Sequence, residues 1–256
     1  MQRPIRIEGD CHMQTLKNCG GYYACPKDPD GKRLGPLVGY AGSYKAPNGS
    51  QKKYVGDVYA NFAKAEIHPN VLKFFAEKLT VEVYHRMDID DIDVLCGAPI
   101  GGYSLADALS LANGIDVIKA EKKVTVAATD DGKREESELV FGRHEIEEGM
   151  KYAIVEDVCN NFSTTEKLIK QIFSNGGYIS AIICFLNRSL AVDTHYDSVT
   201  ISDQIPVISL VRLPIKEYEQ ENVSVYEDIT SGNVVWKPKD KDTWNKLMKA
   251  MDKYPR

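Results

Sequence analysis

Short apolar runs alternate with helix-spaced apolar positions through the middle of the chain. Ile92 to Ala98 is one such run, and Gly101-Gly102 then open a helical pattern through Leu105, Ala108, Leu109 and Leu111. Asp116 to Lys119 reads as the next strand. Lys122 to Glu138 reads as a polar hairpin or mobile loop, and Glu138 to Gly142 as a return to the sheet. Tyr152 to Val158, 178–186 and Ile205 to Leu213 are further strands, with a helix over 166–175 between the first two. Apolar runs bounded by turn signals suit buried strands, and apolar positions three and four apart suit one face of a helix. Strands alternating with helices predict an α/β fold, a mostly parallel central sheet with right-handed crossovers and flanking helices.

The two ends have a different texture. Residues 1–55 are rich in Gly, Pro, Tyr and Lys, with turn signals at Cys25-Pro26, Asp28-Pro29, Asp30-Gly31 and Asn48-Gly49. Short strands are expected at Leu37 to Tyr40 and at Tyr54 to Ala60. His68-Pro69 opens a helix carrying Val71, Leu72, Phe75, Ala76 and Leu79 at helical spacing. Asp242 to Tyr254 suits a terminal amphipathic helix with Trp244, Leu247, Met248 and Met251 on one face. The expected organisation is an N-terminal hood and first helix over 1–80, an α/β core over 81–215, and a C-terminal tail over 216–256. The extra material at both ends suggests a second small layer or lobe.

Composition narrows the function. The chain has 256 residues and a net charge of −5, with basic residues dispersed, so no nucleic-acid surface is expected. The charges at Arg3, Arg6, Glu8 and Asp10 leave no apolar core for a signal peptide. No apolar run reaches the roughly 18 residues needed to span a membrane. The six cysteines, in a chain without a secretion signal, are expected to be reduced, and Cys11, His12, Cys19 and Cys25 lack the spacing of a zinc site. A soluble cytoplasmic protein follows. The P-loop, dinucleotide, zinc-protease and nucleophile-elbow signatures are absent from the sequence.

The chemistry gathers at two places. The run Lys151 to Val158 ends in Glu156-Asp157, followed by the small polar loop Cys159-Asn160-Asn161-Phe162-Ser163-Thr164-Thr165 and a helical pattern. Open α/β sheets hold their ligands at the carboxyl ends of strands, and a helix N-terminus suits phosphate. Adjacent carboxylates accept hydrogen bonds from vicinal ribose hydroxyls and can hold a water-rich Mg²⁺. The same pair equally suits the dipole of a helix N-terminus. Upstream, Asp93 to Ala106 places Gly101 and Gly102 between a strand and a helix, where their N–H groups can face phosphate oxygens or simply allow a tight connection.

Together these motifs resemble type I phosphoribosyltransferases, most of all orotate phosphoribosyltransferases, over roughly residues 37–190. The resemblance implies a small N-terminal hood on the α/β core and transfer of a phosphoribosyl group from Mg²⁺-bound phosphoribosyl pyrophosphate (PRPP) to a nitrogenous base, orotate by the closest likeness. In that family Glu156 and Asp157 would hold the ribose hydroxyls, with Asp157 near the metal. Asn160, Asn161, Ser163, Thr164 and Thr165 would hold the 5′-phosphate, and Gly101 and Gly102 the pyrophosphate. Lys122 and Lys123, with Lys133 and Arg134 behind them, would belong to a lid that closes over pyrophosphate. Arg188, after Phe185-Leu186-Asn187, would hold the carboxylate of the base; a surface arginine capping a strand is the plain alternative. Lys45 or Lys53 would be a hood lysine near the base. A homodimer whose lid reaches the neighbouring site is also implied.

The chain departs from the family at the phosphate loop. Asn160-Asn161-Phe162 stands where the family has Thr-Thr-Gly, and glycine is the residue that takes positive φ at no steric cost. Asn tolerates that geometry better than most residues; Phe does not. This departure supports a rival expectation: a PRPP- or nucleotide-binding regulator that kept the fold without turnover.

Overall fold

The computed structural model describes residues 5–9, 11–126 and 136–254. Along the chain, α1 (His12–Asn18), β1 (Tyr22–Ala24), β2 (Leu37–Lys45), β3 (Gln51–Gly56), β4 (Val58–Ala60) and α2 (Ala63–Glu66) come first. The central stretch follows as α3 (Pro69–Arg86), β5 (Val94–Gly97), α4 (Gly102–Asn113), β6 (Asp116–Lys119), β7 (Glu121–Val126) and β8 (Glu136–Val140). It continues with β9 (Lys151–Cys159), α5 (Ser163–Ser174), β10 (Tyr178–Asn187), β11 (His195–Asp197) and β12 (Gln204–Arg212). The chain closes with α6 (Tyr226–Thr230), β13 (Val234–Val235) and α7 (Lys241–Lys253). No helix among the described residues is long and apolar enough to cross a membrane.

The described residues fall into two units. The first comprises those of Met1–Thr15 and Ala65–Pro214. Its six-stranded sheet has the order β11-β12-β10-β9-β5-β6, and every neighbouring pair is parallel except β11 with β12. Helices cover both faces, which is why the central strands read as continuous apolar runs. On one face, Phe75 of α3 packs on Phe185 of β10 with ring centroids 4.5 Å apart. On the other, Leu168, Ile169 and Ile172 of α5 join Ile154 and Ile182. Side chains alternate across a strand, so the odd and even positions of β10 serve different layers. The chain leaves β5 for β6 on one side and returns to β9 on the other. The gap between the carboxyl ends of β5 and β9 is therefore the point where strand order reverses, the usual ligand position in such sheets.

Two expectations change here. Residues 138–142 do not rejoin the central sheet: β8 pairs with β7 alone, as an antiparallel hairpin. Glu136 and Glu138 alternate with less polar neighbours there, a pattern that suits a hairpin rather than a strand buried on both faces. Strand β11 has no apolar run and was not expected. It forms because His195 to Asp197 pair antiparallel with Gln204 to Pro206 at the sheet edge.

Asn187 closes β10. Its side-chain amide donates to the carbonyls of Val192 (3.1 Å) and Asp193 (3.0 Å), and its Oδ1 accepts from the Ser189 N–H (3.1 Å). The turn that carries Arg188 is thus built around one fully buried amide. An aspartate could accept here but not donate twice.

The second unit comprises the described residues of Leu16–Lys64 and Ile215–Arg256. Both ends of the chain contribute to it, as the two-ended lobe suggested, whereas α3 lies in the first unit rather than with the hood. β13, β2 and β3 form one sheet, and β1 pairs with β4. Trp244 and Leu247 of α7 pack with Tyr23, Val38 and Tyr40, and the Trp244 indole N–H donates to the Gly20 carbonyl (3.2 Å). The expected strand from Tyr54 to Ala60 breaks at Asp57 into β3 and β4, which belong to different sheets. Asp57 faces Arg33 and Lys27 (3.0 Å to the Lys27 ammonium), and Arg33 also reaches Asp228 at 3.2 Å. Burial pushes the Asp57 carboxyl up, but the hydrogen bonds and charges of Arg33 and Lys27 outweigh it and hold it below its ordinary value. Lys45 and Lys53 are exposed on β2 and β3.

Asp57→Asn should cost about 2 kcal/mol at pH 7, because Arg33 loses its main charged acceptor in a half-buried place. A depressed carboxyl contributes stability that is present above its unfolded pKa and is lost as pH falls through the folded value. In urea titrations the gap between wild type and variant should therefore narrow below about pH 4. A gap independent of pH would exclude the ion pair as its source. Asn187→Asp should cost about 2 kcal/mol at pH 7, since a carboxylate replaces two donors facing carbonyls. An unchanged denaturation midpoint would show that the turn does not depend on them.

Candidate active site

The switch point is built on close backbone approach. The Ala98 N–H donates to the Val155 carbonyl (2.9 Å), and the turn Ala98 to Gly102 then lies directly on β9. A Cβ on Gly102 would overlap the Val155 carbonyl, and a Cβ on Gly101 would overlap the Asp157 carboxylate. Glycine is therefore sterically required at Gly102, where the clash is with backbone; at Gly101 a Cβ would instead push the Asp157 carboxylate aside. The peptide between Pro99 and Ile100 in this turn is cis. The Gly102 N–H donates to the Ala98 carbonyl (3.1 Å), and α4 starts from there. Asp157 thus sits against the start of α4, where the helix dipole favours a negative charge.

β9 pairs with β5 only as far as Val155 but with β10 as far as Cys159. The strand runs past Glu156, Asp157 and Val158 and takes in one residue more, so the loop expected from Cys159 begins at Asn160. Adjacent strand residues face opposite sides. Asp157 points towards the α4 layer, and Glu156 follows Ile154 on the α5 side; both are partly exposed.

Phe162 takes φ 57° and ψ 16°, the left-handed conformation that the sequence reading reserved for glycine. Among the described residues it is the one non-glycine with positive φ. Its ring is 2% exposed and packs into the core, stacked on Tyr196 at 5.0 Å and 15°. The expectation that Phe excludes this geometry is corrected: ring burial offsets the backbone cost. The ring is turned away from the loop's donor side, so the loop keeps its glycine-like path.

The loop leads into the N-terminus of α5. The first N–H groups of a helix have no partner within it. The Glu166 N–H already closes on the Phe162 carbonyl (2.8 Å), and the Ser163 N–H is held by Asn161 Oδ1 (3.1 Å). Asn161 and Ser163 are exposed, and Asn160 and Thr164 partly so. Thr165 differs from expectation: it is buried on the inner face of α5 beside Leu168 and Ile169. Its side chain is buried, and its backbone N–H lies in the first turn of the helix.

Arg188 is tied to this loop through its own N–H, which donates to the Cys159 carbonyl (2.9 Å). The residue is 5% exposed, which removes the surface-cap reading. Lys122 and Lys123 are exposed on β7. That hairpin springs from the same end of the sheet, since the Ala120 N–H donates to the Gly97 carbonyl (3.2 Å). Tyr103 of α4 fixes the same spot by donating to the Ala120 carbonyl. Lys133 and Arg134 lie outside the described residues. A hydrogen bond with Cys184, and then burial, push the Cys159 thiol well above its ordinary value, so it is no nucleophile.

Sequence reasoning missed Glu166 and Tyr196. Glu166 Oε2 accepts from the Tyr196 hydroxyl (2.8 Å), and Oε1 accepts from Ser198 (3.0 Å) and Thr200 (2.7 Å). The run Ser163-Thr-Thr-Glu166 has the spacing of a capping box, but that signal points to the wrong partner, because the carboxylate reaches across to residues 196–200. Oxygen donors fit a hard divalent cation, and Asp157 and Glu156 supply them at the strand end. Among the described residues no cluster of three or more metal-ligating side chains is preformed, so a cation here would depend on oxygens from substrate and water.

No family model matches the chain. The orotate phosphoribosyltransferase of Caldanaerobacter subterraneus subsp. tengcongensis is 28% identical over 165 residues, 64% of this chain and 75% of that protein. The orotate phosphoribosyltransferase of Methanosphaera stadtmanae is 30% identical over 132 residues, 52% of this chain and 67% of that protein. The crystal structure of orotate phosphoribosyltransferase from Aeropyrum pernix superposes with a TM-score of 0.51 at 14% identity, covering 79% of this chain and 94% of the other, a likeness of fold. With the strand order, the glycine turn on β9 and the Glu156-Asp157 pair before the α5 loop in place, the chain belongs to the type I phosphoribosyltransferase family of enzymes.

Proposed function

We propose that this protein transfers the phosphoribosyl group of PRPP to orotate, releasing pyrophosphate and forming a nucleoside monophosphate. The observation that carries the reading is the left-handed Phe162 at the head of α5, together with the Asp157 carboxylate on the Gly101 turn at the end of the preceding strand. That arrangement offers backbone donors for phosphate and carboxylates for a ribose within one sheet edge. The support for orotate is the name shared by the curated relatives and an arginine at the end of β10, a planar fork suited to a carboxylate-bearing base.

In this reading Asp157 and Glu156 accept hydrogen bonds from the ribose hydroxyls. The 5′-phosphate lies on the α5 N-terminus and displaces Asn161 Oδ1 from the Ser163 N–H, with Asn160, Thr164 and the Thr165 N–H completing the cradle. The turn at Gly101 and Gly102 faces the pyrophosphate, and Lys122 and Lys123 close over it. Arg188 orients the base. A Mg²⁺ ion near Asp157 would supply charge neutralisation to the pyrophosphate. The chain's own contribution is positioning and stabilisation of the cationic sugar that develops as the bond to pyrophosphate breaks. The enzyme works in the cytoplasm, in keeping with six cysteines that form no disulfide. It works as a homodimer, in keeping with exposed Leu111 beside an apolar groove between α3 and α4.

The test is loss of orotate absorbance on adding purified protein, PRPP and Mg²⁺, with calorimetry in parallel. Asp157→Asn should lower kcat/KM about 100-fold or more, and Arg188→Ala should raise the KM for orotate at least about tenfold with the KM for PRPP unchanged. Consumption of another base but not orotate would move the substrate assignment. PRPP binding without turnover on any base would favour the regulator.

A further inference from the structure

We infer that Tyr196 and Glu166 are positioning residues for the phosphate loop, bracing Phe162 in the left-handed conformation on which the loop's donor geometry depends. The inference rests on the PRPP reading above and extends it to residues that touch no substrate.

Three contacts close a ring around the loop. The Phe162 ring stacks on Tyr196, 5.0 Å between centroids and 15° between planes. The Tyr196 hydroxyl donates to Glu166 Oε2 at 2.8 Å. The Glu166 N–H returns to the Phe162 carbonyl at 2.8 Å. Side chain, hydroxyl and backbone therefore fix one another, and Ser198 and Thr200 hold the second carboxylate oxygen. Burial pushes the Glu166 carboxyl up, and these three hydroxyl donors outweigh it and keep it below its ordinary value. The acceptor of the ring is thus a carboxylate at neutral pH.

The brace answers a specific need. A residue with a Cβ disfavours left-handed geometry by a factor of about ten in population. A glycine at this position would need no support. With Phe, the conformation must be selected by something outside the loop, and the ring meets the stacked Tyr196 on one side and the core beneath α5 on the other. Tyr196 lies on β11, a three-residue edge strand whose pairing with β12 sets its place. The edge of the sheet thereby reaches the phosphate cradle through one ring.

The experiment compares Tyr196→Ala, Tyr196→Phe, Phe162→Gly and the double variant Tyr196→Ala/Phe162→Gly in full-length protein. Kinetics with PRPP and base varied separately are read beside native-state hydrogen exchange across 159–166. Tyr196→Ala should raise the KM for PRPP about tenfold, leave that for the base unchanged and speed exchange in the loop. Tyr196→Phe should fall between it and wild type. The double variant should recover most of the PRPP affinity, because glycine no longer needs the ring. Unchanged PRPP affinity and exchange in Tyr196→Ala, equal losses for PRPP and base, or no rescue by Phe162→Gly would overturn the brace. A wild type that fails to bind PRPP would remove the parent reading alone, and the exchange pattern of the four variants would still decide the brace.

Discussion

The turn from β5 into α4 lies so close on β9 that Gly102 has no room for a Cβ and Gly101 lies against the Asp157 carboxylate. Much else in the first unit follows from that contact. It sets where α4 begins and so where its dipole points. It places the Asp157 carboxylate against the helix start. It also brings the donor edge of one strand–loop–helix unit beside that of the next, across the gap where strand order reverses. Parallel sheets leave such a gap wherever the chain changes direction, but a gap becomes a site only when backbone lines it closely enough to present N–H groups. The glycine turn brings backbone that close here, with the Gly102 N–H itself bonded to the Ala98 carbonyl, and the second strand carries two carboxylates near its end.

The loop at the head of α5 separates a conformational requirement from a residue identity. The geometry at the head of α5 needs positive φ, and glycine meets it without cost. Phe162 meets it at a cost of about 1–2 kcal/mol. Burial of a large apolar side chain contributes about 1.5–3 kcal/mol in the other direction, and stacking of an aromatic pair adds about 0.5–1.5 kcal/mol. The balance permits the substitution, provided that the core has a slot for the ring. Tyr196 and the apolar residues beneath α5 provide that slot.

The alternation of strands and helices was legible because it is local. Val94 to Gly97, Lys151 to Cys159 and Tyr178 to Asn187 are apolar runs of strand length, and α7 shows its buried face in Trp244 and Leu247 at helical spacing. The site glycines and the acidic pair were legible because their types fit few other uses at a strand end. What escaped was everything set by distant pairing. β11 is short and polar, so no period marks it. The break of β3 and β4 at Asp57 depends on Arg33, far away in sequence. Glu166 had the local look of a capping residue, and only the fold reveals its partners on the 196–200 segment.

Asn187 and Phe162 point to one rule about departures from a family pattern. By the resemblance, Asn187 stands where orotate phosphoribosyltransferases have an aspartate and Phe162 where the family has a glycine, and each departure spoke against the site. In the fold each has a task that the family residue would perform worse in this surrounding. The Asn187 amide donates twice where an aspartate offers no donor, and the Phe162 ring fills a slot that a glycine would leave empty. A departure weakens a functional assignment when it removes the physical property the site uses. At these two positions the property, a fixed turn for Arg188 and a left-handed step into α5, is retained by other atoms. The candidate site therefore rests on a fold held in common with its relatives and on side chains that are its own.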